Sequence, residues 1–346
     1  MKESLDELLL AAFNKKASDI HLTIGSPPIL RINGSLREYS DKVLTAADTE
    51  QMARVIVREA EWAQFEEKGE LDLAYALPTI CRFRVSVFYQ RAHISLALRI
   101  IPSHIPSLET LHVPEVLKKI CTKPQGLFLV TGPTGSGKST TLASMLDYLN
   151  KTERKHVITL EDPIEYLHRH ERSIIVQREV GHDTMSFSNG LRAALRQDPD
   201  VILVGELRDL ETISTAISAS ETGHLVLGTL HTTDAPSTID RIIDVFPPNQ
   251  QQQVRIQLAS VLLGVLSQRL FPTANYNGRR AATELLINTA GVANLIRSEK
   301  VHQIPNVMQT SRALGMHTLD MSIRDLIQHD IIAREAAEGY LKEMTL

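Results

Sequence analysis

An α/β architecture on a mostly parallel sheet, preceded by an α+β segment over residues 1–101, is the fold class this sequence predicts. Three observations carry it. From Gly126 onward, short continuous apolar runs at 127–130, 157–160, 201–204 and 225–230 alternate with amphipathic stretches; strands buried on both faces by crossover helices look like this. Before residue 101 the strand-like segments are mixed with helical ones. Between the two regions Pro102, Pro106 and Pro114 interrupt any sustained period.

Taken in order, Ser4-Leu5-Asp6-Glu7 has capping-box spacing ahead of the apolar run 8–13, which predicts a short first helix. Residues 19–24 alternate as a strand, and Asn33-Gly34 between strand-like residues is a hairpin signal. Residues 46–68 have helical period and stop at Gly69; 71–76, 81–89 and 94–101 read as strands. Prolines stiffen a chain and cannot continue a helix, so 102–114 reads as a semi-rigid linker. An α/β core over 115–288 and a mainly helical region over 289–346 complete the expected division.

At 346 residues the chain exceeds one average domain, and its 43% apolar and 23% charged residues are ordinary globular values. Lys plus Arg is 37 against 41 Asp plus Glu, a net charge of −4. That balance argues against nucleic acid as the main partner. Only Cys81 and Cys121 occur, with no CxxC pair, so neither a disulfide framework nor a cysteine-built zinc site is expected; reduced thiols fit a cytosolic protein. Residues 1–13 carry charges within their apolar stretch and do not read as a signal peptide. No run approaches the ~18 apolar residues of a membrane span, so no direct membrane insertion is expected.

The strongest motif is Gly132-Pro133-Thr134-Gly135-Ser136-Gly137-Lys138-Ser139, followed by Thr140, which matches GxxxxGK[ST]. Apolar strand residues precede it and a helical segment follows, as a phosphate loop requires. Glycines let successive backbone N–H groups turn inward around phosphates, and the helix N-terminus adds positive potential. Lys138 is expected on the β and γ phosphates of ATP and the Ser139 hydroxyl on Mg²⁺. The alternative, a glycine-rich turn matching by chance, would not need that strand and helix.

Asp200-Val201-Ile202-Leu203-Val204-Gly205-Glu206 is an apolar strand ending in a carboxylate, so Glu206 is the candidate general base for an attacking water; a solvated strand-end acid is the plain reading. Glu161-Asp162-Pro163-Ile164-Glu165 follows another apolar strand, either as acids working around Mg²⁺ and water or as a capped turn. His231 ends a fourth strand and could bond a phosphate or report its loss, or be structural. A phosphate loop alone leaves charge on the γ-phosphate under-stabilised, and arginines from elsewhere commonly complete such a site. Arg82, Arg84, Arg91 and Arg99 lie in the first segment, and Arg82 and Arg84 share one strand face. The competing reading is a solvated basic sheet face.

In this order, Ala17-Ser18-Asp19-Ile20-His21, Arg82-Phe83-Arg84-Val85, the extended Walker A motif from Gly132 to Thr141, the acidic box ending in Glu161-Asp162-Pro163-Ile164-Glu165-Tyr166, the Walker B motif around Glu206 and the His box Glu221-Thr222-Gly223-His224 to His231-Thr232-Thr233 resemble the secretion and pilus ATPase superfamily, and within it the PilT-type retraction branch. The resemblance runs nearly end to end. It implies a PAS-like N-terminal domain, a RecA-like motor domain and a homohexameric ring with ATP between domains. It also implies Glu206 as catalytic, Glu161 and Glu165 as active-site acids, His231 as a nucleotide sensor and Arg82, Arg84 and Arg91 as γ-phosphate contacts.

The pilus-assembly relatives generally carry a longer N-terminal region and a four-cysteine zinc insert, neither present here, which favours retraction. One departure stands at Gly291-Val292-Ala293-Asn294-Leu295-Ile296-Arg297, where the branch's AIRNLIR-like signature has an arginine at the position of Ala293. The expectation is a cytoplasmic hexameric motor at the inner face of the cytoplasmic membrane. ATP hydrolysis would turn a platform protein and so disassemble the pilin fibre. The alternatives are an accessory pilus ATPase, an assembly or type II secretion ATPase, a nucleic-acid translocase and a non-hydrolysing scaffold.

Overall fold

The computed structural model describes residues 2–32, 34–77, 80–101 and 104–341, apart from the side chains of residues 2 and 3. Asn33 of the expected hairpin turn, Pro102 of the expected linker and the last five residues of the expected helical region, 342–346, lie outside them. The chain divides into two units, Met1–His104 and Ile105–Leu346.

The first unit runs α1 (Lys2–Asn14), β1 (Asp19–Leu22), β2 (Ile29–Ile32), β3 (Ser35–Glu38), α2 (Ala46–Ile56), α3 (Glu59–Lys68), β4 (Glu70–Leu77), β5 (Cys81–Gln90) and β6 (His93–Ile101). Its sheet is antiparallel throughout, in the order β3-β2-β1-β6-β5-β4. Alternation on β5 sends Cys81, Phe83, Val85 and Val87 into the core and turns the intervening side chains outward.

Two local expectations are corrected. The first helix begins upstream of Ser4, because Lys2 and Glu3 are good helix formers, so Ser4 is not its cap. The stretch expected as one helix is two, broken at Val57 and Arg58, both extended. Ile56 and Phe65 are both buried but stand nine residues apart, about 2.5 turns, so a continuous helix would point them in opposite directions. The cap the sequence reading overlooked is at α2: Asp48 N–H donates to Thr45 Oγ1 at 3.2 Å and Thr45 N–H to Asp48 Oδ2 at 2.9 Å.

The second unit runs α4 (Leu108–Leu111), α5 (Val116–Cys121), β7 (Gly126–Thr131), α6 (Lys138–Thr152), β8 (His156–Glu161), β9 (Ile174–Glu179), α7 (Phe187–Ala194), β10 (Val201–Val204), α8 (Leu210–Glu221), β11 (Leu225–Leu230), α9 (Ala235–Asp244), α10 (Pro248–Val261), β12 (Leu262–Pro272), β13 (Arg279–Ile287), α11 (Ala290–Arg297), α12 (Ile304–Thr310), α13 (Leu319–Gln328) and α14 (Arg334–Ala337). The strand order is β13-β12-β7-β11-β10-β8-β9, parallel except for the β12–β13 pair. This is the predicted mostly parallel α/β sheet. The antiparallel pair and β9 were not foreseen.

On β7, Leu127 and Leu129 face one core while Phe128 and Val130 face the other, which is why the strand reads as uninterrupted apolar sequence. Within the stretch read as a linker, Leu108 and Val113 are buried in that second core with Leu117. Both cysteines are buried, and burial pushes the thiols up to about 11 at Cys81 and about 12 at Cys121. Among the described residues no helix is long and apolar enough to cross a membrane.

Candidate functional site

β7 delivers the chain to the glycine loop, and α6 opens at Lys138 behind Gly137, whose φ of 89° suits glycine. Gly132 has φ 141°, and a Cβ there would collide with the backbone carbonyl of Gln268 and come within 2.7 Å of Ser136 Oγ. The loop is therefore glycine-rich for reasons of space as well as conformation. Lys138 Nζ donates to the carbonyls of Gly132 at 2.8 Å and Pro133 at 3.1 Å, so the amine folds over its own loop. Burial pulls the Lys138 ammonium below its usual value, against the pull of Glu206 and Glu165. Ser139 is exposed, and Thr140 Oγ1 lies 3.0 Å from the Tyr166 hydroxyl.

Glu206 follows β10 through Gly205, whose N–H donates to the Leu160 carbonyl at 2.7 Å and whose own carbonyl accepts from the Thr229 hydroxyl. Glu206 Oε1 lies 3.1 Å from His231 Nε2 and 2.5 Å from Arg208 Nε. Burial alone would raise this carboxyl, but the Arg208 guanidinium and His231 hold it below the usual carboxylate range. Glu161, at the end of β8, is partly buried, and desolvation pushes its carboxyl up. Thr159 Oγ1 at 2.6 Å and Gln177 Nε2 at 3.1 Å donate to its Oε1 and offset part of that rise. Glu165 is exposed.

These groups surround one cavity of about 560 Å³, inside the ~300–1,000 Å³ range of small-ligand sites. Thr134, Gly135, Gly137, Lys138, Ser139 and Thr140 line it from the loop side; Glu161, Glu165, Glu206 and His231 face it from the strand ends. Gly132, Pro133 and Ser136 are not among the lining residues. An inward-turned loop at a helix N-terminus, with one lysine and no Cβ at its closest approaches, fits a polyphosphate. No group of three His, Cys, Asp or Glu among the described residues could hold a metal. The exposed Ser139 hydroxyl, beside Lys138 on the cavity wall, is an oxygen donor of the kind that could hold a hard cation accompanying a polyphosphate.

Arg82 and Arg84 lie on β5, in the first unit. Their neighbours Phe83 and Val85 are fully buried, so both arginines share the outward face. Arg84 stands opposite Arg99, which is engaged by Asp19 at 2.9 Å. Arg91 lies in the β5–β6 turn at φ 50°, a left-handed conformation that costs a residue with a Cβ roughly 1–2 kcal/mol. Ala293, where the arginine of the signature was expected, is 8% exposed on α11 and packs in the core.

Three contributors were missed by sequence reasoning. Arg208 was visible two residues beyond Glu206 but was given no role. Gln177 accepts from His168 N–H at 2.9 Å and donates to Glu161 and to the Tyr166 carbonyl at 2.8 Å, so it braces the acidic loop. Gln268 contacts the phosphate loop from more than 130 positions away, and no local pattern marks it.

A family model for type II/IV secretion system proteins matches residues 1–336. The type IV pilus retraction ATPase PilT of Pseudomonas aeruginosa is 47% identical over 338 residues, 98% of each chain. The type IV pilus ATPase PilU of the same organism is 41% identical over 332 residues, covering 96% of this chain and 87% of PilU. A crystal structure of the pilus retraction motor PilT with bound ADP superposes with a TM-score of 0.91 at 48% identity, over 98% of this chain and 97% of that one.

Proposed function

The chain belongs to the type II/IV secretion system protein family, and on that premise we propose that it is an ATPase motor that powers type IV pilus retraction. The observation that carries the reading is that Lys138 of the phosphate loop and the carboxylate of Glu206 open onto one cavity. The PilT relative is named a pilus retraction ATPase, and its related structure holds ADP, so ATP is the substrate.

The loop amides and Lys138 grip the β and γ phosphates, with the Lys138 amine leaving the carbonyls of Gly132 and Pro133 to do so. Ser139 Oγ ligates the Mg²⁺ that accompanies ATP. Glu206, held ionised beside the Arg208 guanidinium, orients the attacking water and takes its proton. Glu161 and Glu165 order the site around metal and water, and His231, touching Glu206, senses the state of the γ-phosphate. Arg82, Arg84 and Arg91 supply the remaining positive charge when a first unit closes on a nucleotide site, from the same chain or a neighbour in a homohexamer. That closure converts hydrolysis into movement of an inner-membrane platform protein and, through it, the pilin fibre. The protein then works in the cytoplasm, held at the membrane by the pilus machine.

The greater identity to PilT than to PilU favours the main over the accessory motor. The test is purified protein against its Lys138→Ala variant, together with deletion of the gene in its host. ATP turnover lost in the variant, with surplus immobile pili on the deletion strain, is the expected result. Equal turnover in the variant, or bald cells, would overturn it.

A further inference from the structure

β12 does more than extend the sheet. It runs parallel to β7 with Ser267 opposite Thr131, and their hydroxyls lie 2.8 Å apart immediately before the loop begins. The next residue, Gln268, is 2% exposed. Its Nε2 donates to the Ser136 carbonyl at 2.7 Å and its Oε1 accepts from the Thr141 hydroxyl at 3.0 Å. One carboxamide therefore ties the middle of the phosphate loop to the first turn of α6. The two tight glycines press on the same residue: a Cβ on Gly132 would meet the Gln268 backbone carbonyl, and one on Gly137 would stand 3.1 Å from its Nε2.

We propose that Gln268 is a positioning residue for the phosphate loop, its buried carboxamide fixing the loop's curvature so that the backbone amides converge on the phosphates. This rests on the reading of the cavity as an ATP site. A buried amide satisfied at both ends has one geometry, because leaving either end unpaired forfeits a hydrogen bond that water cannot replace there. Its own placement is fixed from behind. Gln268 stands opposite Thr283 on β13, whose hydroxyl lies 2.9 Å from His317 Nε2 and whose N–H donates to Ser322 Oγ at 3.1 Å. An anion cradle made of main-chain donors has no side-chain rotamers to correct a misplaced backbone, so an external brace of this kind sets its affinity.

The test compares full-length wild type with Gln268→Met, which keeps length and loses both hydrogen bonds, and with Thr141→Val, which loses one. Asn288→Ala serves as the control. Its carboxamide makes a similar two-bond clasp, to the carbonyls of Ala259 and Leu262, at the other end of the hairpin. ADP affinity and ATPase kinetics are measured well below each variant's melting temperature. We expect at least tenfold weaker ADP binding and a matching fall in kcat/KM for Gln268→Met, about threefold to tenfold for Thr141→Val, and less than twofold for Asn288→Ala. The double variant should be no weaker than Gln268→Met alone, since the two groups form one clasp. ADP affinity within twofold of wild type in Gln268→Met overturns the assignment. Should that variant fail to fold, unchanged affinity in Thr141→Val does so. A wild-type protein that binds no ADP refutes the ATP-site reading itself, a different result.

Discussion

Glu206 Oε1 lies 3.1 Å from His231 Nε2, which joins the end of β10 to the end of β11 across the floor of the cavity. A carboxylate so held can take a proton from water without moving. Replacing it by Gln keeps the size and removes the basicity. Turnover of Glu206→Gln should fall ~10²–10⁴-fold, the usual worth of a general base, while ADP affinity stays within about twofold of wild type. Isothermal titration beside a phosphate-release assay checks both; undiminished turnover would remove Glu206 from the mechanism.

The Arg208 guanidinium is part of what holds the Glu206 carboxyl down. Taking away a cation raises a neighbouring carboxyl, so protonation begins at higher pH and the ionised base is lost sooner on acidification. The acid limb of the kcat/KM profile should therefore move to higher pH in Arg208→Gln. Superimposable profiles would mean that the ion pair has no bearing on the base.

Glu161 carries the opposite shift, its carboxyl raised chiefly by burial. A folded state that holds a proton more tightly than the unfolded chain gains stability at low pH and loses it as pH rises through the raised value. The amide of Glu161→Gln has no proton to lose. Its melting temperature relative to wild type should be higher at about pH 8 than at about pH 5. A difference that does not vary with pH would contradict a raised Glu161.

Restoring the arginine of the signature puts a long cation where α11 packs inward. Ala293→Arg should destabilise by ~1–3 kcal/mol through overpacking, measured by urea unfolding, and leave ATP turnover at the wild-type rate because Ala293 does not line the cavity. A stable variant with altered hydrolysis would show that α11 acts on the site.

The loop from Gly132 to Ser139 could be read without a structure because its requirements are local: glycine where the backbone turns left-handed, an apolar strand before it, a helix after it. The strands at 201–204 and 225–230 were legible for a related reason, since burial on both faces leaves only apolar residues. What escaped depended on distance along the chain. Gln268 matters only because β12 lies beside β7, and Gln177 only because β9 pairs with β8. The break at Val57 escaped because both halves have helical period on their own. Only their relation to a shared core forbids one continuous rod.

The two native thiols offer a practical opening. With Cys81 and Cys121 both inside the protein and held protonated well above neutral pH, maleimides and other thiolate-seeking reagents have little to attack. A single cysteine placed on the outward face of β5 would then carry a fluorophore or spin label alone. Domain movement during ATP turnover could be followed in a chain that keeps every natural residue but one.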